Sequence, residues 1–171
     1  TRIGAVSLGN SADGVSVTAD ADAVNDVSLS VDLTTIKKDT LVIAAYTQNG
    51  GGLTTEPYSA GERISHGDSG SSFTSTGYVQ VPTISGPTTY TWTISVAQSC
   101  DAVLVGFASA GEIASDPITV LNSDEFYNST AATIVTNSFE VISDPNGKLV
   151  VTVGAEGDLD IASVTYGGLP L

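Results

Sequence analysis

Residues 65–72, Ser-His-Gly-Asp-Ser-Gly-Ser-Ser, form the grouping whose residue types and order most suggest bond-breaking chemistry. Gly67-Asp68-Ser69-Gly70 is the string found around a hydrolytic serine, and His66 precedes it. A serine nucleophile needs a base, and the base needs a group that orients it. His66 is the only histidine and lies three residues before Ser69, so no distant base can be recruited. Ser71 stands where the G-x-S-x-G elbow requires glycine. A local Ser69–His66 pair lacks an orienting acid. The sequence therefore predicts no enzyme here, with His66 a solvated loop residue.

Other catalytic chemistries find little support. A structural zinc needs several Cys or His ligands, and Cys100 and His66 are the only two such residues. "GGLTTE" lacks the lysine of a phosphate loop. Glycoside hydrolysis needs two opposed carboxylates, and nothing singles out a pair among the nineteen acids.

Calcium, which prefers carboxylate and carbonyl oxygens, is the best cofactor candidate. Asp20 and Asp22 alternate along a strand and Asp26 follows in a turn, while Glu156, Asp158 and Asp160 crowd "AEGDLDIA". These six are the candidate calcium ligands, weighed against ordinary solvated acidic turns. For glycans, exposed aromatic rings serve as stacking platforms. Tyr58, Tyr127 and Tyr166 lie near turns and are the candidate contacts, whereas Trp92 alternates in phase with Ile94 and Val96 and belongs to the core. Asn128-Ser129-Thr130 is an N-glycosylation acceptor string.

Charge narrows the partners. Five Lys and Arg face nineteen Asp and Glu, a net charge of −14. Nucleic-acid binding needs a cationic surface, and anionic membranes attract basic clusters, so neither partner is expected. No apolar run reaches the roughly 20 residues that span a bilayer. The absence of Met suggests a processed chain or a fragment, and no signal peptide or lipidation motif is read. Abundant Ser, Thr and Gly with little Lys fit the outside of a cell or virion. Cys100 has no intrachain partner and opens an apolar run, as a buried structural thiol does.

The elements that would position these residues are strands. "VSLSVDL" sets Val27, Leu29, Val31 and Leu33 on one face; "YTWTISV" alternates Tyr90, Trp92, Ile94 and Val96 with polar residues. "VSVTADADAV" does the same with Val15, Val17 and three alanines. "DTLVIAAYT", "DAVLVGFAS" and "GKLVVTVGA" are continuous apolar runs, as in strands covered on both faces. Gly- and Pro-rich turns separate the runs. A helical turn is expected at most near Ser123–Tyr127, and Gly61–Gly77 reads as the most loop-like stretch. A pattern echo between "LTTIKKDTLVIAAYTQNGGG" and "EVISDPNGKLVVTVGAEGDL" suggests two related halves of one sandwich, ahead of the start of a second repeat. The prediction is an all-β, two-sheet antiparallel β-sandwich of about ten strands in a single domain, residues 1–171.

Three stretches, "IKKDTLVIAAYTQNGG", "TTYTWTISVAQSCDAVLVGFASAGE" and "NGKLVVTVGAEGDLDIASVTYGGLPL", resemble β-sandwich domains of phage structural proteins and secreted surface proteins. The resemblance is one of pattern over most of residues 35–171. It implies jelly-roll-like architecture and a role in capsid decoration, tail fibres or extracellular appendages. It carries no catalytic residues with it.

The expected function is that of a non-enzymatic structural protein of a virion surface or extracellular filament. It would self-associate through sheet edges with copies of itself or with other appendage proteins. The alternative is a carbohydrate-binding or adhesin module, calcium-stabilised. Residues 1–11 are expected to form an edge strand or one exchanged with a neighbour, through Ile3, Val6 and Leu8.

Overall fold

A computed structural model describes residues 2–9, 11, 17–35, 39–50, 52–68, 73–81, 87–108, 118–127, 134–154 and 161–171. The chain is an all-β sandwich of antiparallel sheets packed against each other. Its framework is a long ribbon made by β2 (Val17–Thr34) and β7 (Pro87–Phe107). The two strands pair from Val17–Gly106 to Thr34–Pro87, but not continuously. Between Ala23 and Ser28 the register shifts twice, and β7 runs from Gln98 to Thr93 while β2 advances only from Asp26 to Ser28. Bulges of this kind let a strand turn a corner and leave one layer for another. Asn25 takes a left-handed φ of 55° there. Asp26 Oδ1 accepts hydrogen bonds from the backbone N–H groups of Val27 (2.7 Å) and Ser28 (3.2 Å), fixing the bend.

The two arms of the ribbon share one core. Leu29, Val31 and Leu33 with Tyr90, Trp92 and Ile94 come from one arm, and Cys100, Ala102 and Leu104 from the other. Tyr46 stacks on Trp92 with ring centroids 5.4 Å apart. β4 (Leu53–Thr55) pairs with β7 at Ile94 and Thr93. The predicted alternation holds through Ile94 and ends at the bend, where Val96 and Val27 are exposed.

The second arm continues into a six-stranded sheet. β3 (Thr40–Gln48) lies between β7 and β6 (Phe73–Val81), and β5 (Arg63–Asp68) closes the far edge, giving the order β2-β7-β3-β6-β5 with β4 as the sixth strand, on β7. β3 is buried on both faces, as its unbroken apolar run predicts. Val42, Ala44 and Tyr46 join the ribbon core, while Leu41 and Ile43 join a second core with Val6, Leu8, Ile64, Phe107 and Ile118. The described part of 61–77 is mostly strand, in β5 and β6, and not the loop that its composition predicts.

The second core faces a three-stranded sheet of order β8-β1-β9, made by β1 (Arg2–Gly9), β8 (Thr119–Tyr127) and β9 (Lys148–Gly154). One expectation is corrected here: β1 is central, paired with β8 on one side and β9 on the other, so it is not an edge strand of this sheet. The reason is its mate on each flank: β8, whose polar "NSDEF" stretch reads as a turn but whose backbone is strand through Tyr127, and β9. A short hairpin, β10 (Thr165–Tyr166) and β11 (Leu169–Pro170), ends the chain. Its turn residues Gly167 and Gly168 have φ of 59° and 83°, two successive left-handed conformations that glycine supplies without strain. The echoing stretches fall in different sheets, as β3 and β9.

Candidate functional site

The densest polar cluster lies where β4 leads through a 3-10 turn at Ala60–Glu62 into edge strand β5. The turn is tied by Ser59 N–H donating to Glu62 Oε2 at 2.9 Å and Glu62 N–H donating to the Ser59 carbonyl at 3.0 Å. It folds Arg63 and His66 back onto Glu56, whose carboxylate is buried. Glu56 accepts from Arg63 Nε at 3.0 Å, from a second Arg63 nitrogen and from the Ser75 hydroxyl, and pairs with His66 Nδ1 at 3.2 Å. The Tyr58 hydroxyl meets the same Ser75 oxygen. Burial opposes ionisation of Glu56, but the bonds from Ser75, Arg63 and His66 outweigh it and hold the carboxyl below its ordinary value. Burial also pushes the Tyr58 hydroxyl well up.

His66 therefore sits on a strand with a carboxylate partner, not in a solvated loop. Its ring meets Phe73 edge-on at 4.8 Å, and its backbone N–H donates to Glu125 Oε2 of β8 at 3.1 Å. β5 is thereby tied to the three-stranded sheet. The sequence gives no sign of Glu56 as this partner, because the contact depends on the intervening turn. The order of groups matters for chemistry. A serine nucleophile needs the imidazole between hydroxyl and acid; here the carboxylate lies between Ser75 and His66. The cluster holds an edge strand in place. Ser69 lies outside the described residues.

Three of the six candidate calcium ligands lie among the described residues. Asp20 and Asp22 point outward from β2, with Asp22 paired directly across from Asp101. Asp26 is engaged with the backbone at the bend. Glu156, Asp158 and Asp160 lie outside the described residues, and among the described ones no group of three or more His, Cys, Asp and Glu is arranged to hold a metal ion.

The candidate aromatic contacts also differ in placement. Tyr58 is only 7% exposed and belongs to the ribbon core, which corrects its assignment as a surface contact. The cause is Gly77, whose missing side chain leaves room for the ring. Tyr127 ends β8 opposite Arg2, and its side chain lies outside the description. Tyr166 is exposed, and its hydroxyl donates to the Phe139 carbonyl at 3.0 Å. Trp92 is buried as predicted. Of the exchange candidates, Val6 and Leu8 are buried in the chain's own second core, and Ile3 pairs with Phe126 and Val153 in backbone register.

A feature that sequence reasoning passed over lies in the C-terminal third. Residues 134–144 belong to no strand among the described residues, although "IVTNSFEVIS" is rich in strand-forming side chains. Asn122 Nδ2 donates to the Glu140 carbonyl at 2.8 Å, setting the segment beside β8. The Tyr166–Phe139 bond joins it to the C-terminal hairpin. Ile134 (78% exposed), Ile142, Ile161, Leu169 (71%) and Leu171 all face solvent. The signal was present as β-branched and apolar residues, but exposure cannot be read from type alone.

Among the described residues no helix is long and apolar enough to cross a membrane. Comparison with protein-family models, curated proteins and solved structures gave no match.

Proposed function

We propose that the chain is a non-enzymatic structural protein of a virion surface or extracellular filament that works by self-association through sheet edges. The observation that carries this reading is that Ile134, Ile142, Ile161, Leu169 and Leu171, all in the last third of the sequence, are exposed. Large apolar side chains left in solvent suit an interaction surface. Two further facts support it. β8 and β9 are the outer strands of the three-stranded sheet, so each has a side without a strand partner among the described residues. The uncharged stretches 126–139 and 161–171 include four of these five residues in a chain of net charge −14, so copies meet there with least repulsion. The test is light scattering of the full chain over a range of concentrations, with electron microscopy of the product. Concentration-dependent growth in mass is the expected result, and a monomer at every concentration contradicts it.

A further inference from the structure

We propose that Asn49 is a site of spontaneous self-modification. The backbone nitrogen of Gly50 closes a succinimide ring on the Asn49 side chain, and water opens the ring to aspartate or isoaspartate. The proposal stands apart from the self-association reading.

An asparagine followed by glycine suits this reaction, because glycine sets no Cβ beside the attacking nitrogen. The sequence holds two such pairs, Asn49-Gly50 and Asn146-Gly147. Both asparagines are exposed, so exposure does not separate them. Their backbone does. At the second pair the nucleophile is engaged: Gly147 N–H donates to the Asp144 carbonyl at 3.0 Å and closes the turn. Asn146 is tied as well, its N–H donating to Asp144 Oδ1 at 2.9 Å and its carbonyl accepting from Ser11 N–H at 3.0 Å. Attack by the Gly147 nitrogen has to break that turn first.

At the first pair the nitrogen is free. Asn49 follows β3, and its N–H donates to the Ser99 carbonyl at 3.1 Å. The Gly50 carbonyl accepts from the side chain of buried Gln48, whose oxygen accepts from the Tyr46 hydroxyl. These bonds hold the groups on either side of the Asn49–Gly50 peptide and leave its own N–H without a partner among the described residues.

The step needs no cofactor. A base takes the Gly50 amide proton, and the nitrogen attacks Cγ of Asn49. The new C–N bond forms as the bond from Cγ to Nδ2 breaks, and ammonia leaves. Water adding at Cγ gives aspartate on the normal backbone. Water adding at the main-chain carbonyl gives isoaspartate, with one more methylene in the chain just past β3. Either product adds one negative charge to a chain of net charge −14.

The test is incubation of the full chain at mildly alkaline pH, native and in concentrated urea, followed by tryptic digestion and mass spectrometry. Cleavage after Lys38, Arg63 and Lys148 puts Asn49 and Asn146 in separate peptides. In the native chain Asn49 should convert about fivefold faster than Asn146 or more, the factor that one backbone hydrogen bond supplies. In urea, where the turn is gone, the two should convert at similar rates. Asn49→Gln should remove the more acidic form that ion exchange resolves from the aged native chain. Conversion at Asn146 as fast as at Asn49 in the native chain overturns the proposal. So does a native Asn49 that stays intact while the urea sample reacts. A preference for Asn49 that persists unchanged in urea overturns it too, because local sequence and not the fold would then set the rate.

Discussion

The ring of Tyr58 occupies the space in which a side chain on Gly77 would begin. A Cβ at position 77 would stand 2.4 Å from Tyr58 Cδ2, with Cγ and Cε2 of the same ring almost as near. The ring cannot swing aside freely, because its hydroxyl is held by Ser75 and its body is packed in the ribbon core. Gly77→Ala should therefore destabilise by about 1–3 kcal/mol through overpacking. Urea unfolding followed by tryptophan fluorescence reads this directly, since Trp92 shares that core. A neutral substitution would mean that Tyr58 has somewhere else to go.

Glu56 gives the fold an acid-sensitive joint. Its folded-state pKa lies below the ordinary 4.5. A depressed carboxyl contributes stability that is present above the unfolded value and lost as pH falls through the folded one. Stability should accordingly decline on acidification below about 4.5. Glu56→Gln should remove that part of the profile. At neutral pH the substitution should cost roughly 1–3 kcal/mol, because Arg63 and Ser75 lose a charged acceptor. Urea midpoints of both proteins between pH 3 and 7 check the sign. An identical acid limb in the two would show that Glu56 is not the responsible group.

Asp22 and Asp101 form a cross-strand pair of like charges on the outer face of the ribbon. Direct opposition of this kind is unfavourable by roughly 0.2–1 kcal/mol. Asp101→Asn should raise stability by that amount at low salt, and the gain should shrink as salt screens the pair. Thermal unfolding at two ionic strengths gives the answer. A gain that grows with salt would contradict repulsion as the cause.

Tyr90 places a hydroxyl in the ribbon core where it finds no hydrogen-bond partner among the described residues. Burial pushes its pKa up. Removing an unsatisfied buried group while keeping the ring relieves a desolvation cost. Tyr90→Phe should be stabilising by up to about 1 kcal/mol, measured by denaturant midpoint. A loss of more than that size would reveal a partner for the hydroxyl.

Much of the strand pattern was legible because a half-buried strand writes its two faces directly into sequence. Leu29, Val31 and Leu33 alternate as read, the run in β3 is covered on both sides, and Gly167-Gly168 makes the hairpin turn. What escaped reading was non-local. Alternation tells which side chains share a face but not which strand lies alongside, so β1 passed for an edge until β8 and β9 flanked it. β8 was hidden by acids and an asparagine on a strand with a polar outer face. The bend at Asn25–Asp26 breaks the period in β2, and only the paired register on β7 reveals it as a corner. The Glu56–His66 pair depends on a turn that brings together residues ten apart in the chain. Tyr58 reads as a turn residue, and it took the absence of a side chain at Gly77 to bury it.

Self-association is the central claim, and sedimentation velocity of the unsubstituted chain tests it most directly. Runs spanning about a hundredfold in concentration, at low salt and again at about 0.5 M salt where the Debye length is a few ångströms, separate attraction from charge repulsion. The account expects a species heavier than one chain that grows with concentration and is favoured by the higher salt, as screening quiets the −14 charge. A single species with the mass of one 17.3 kDa chain under every condition would contradict it.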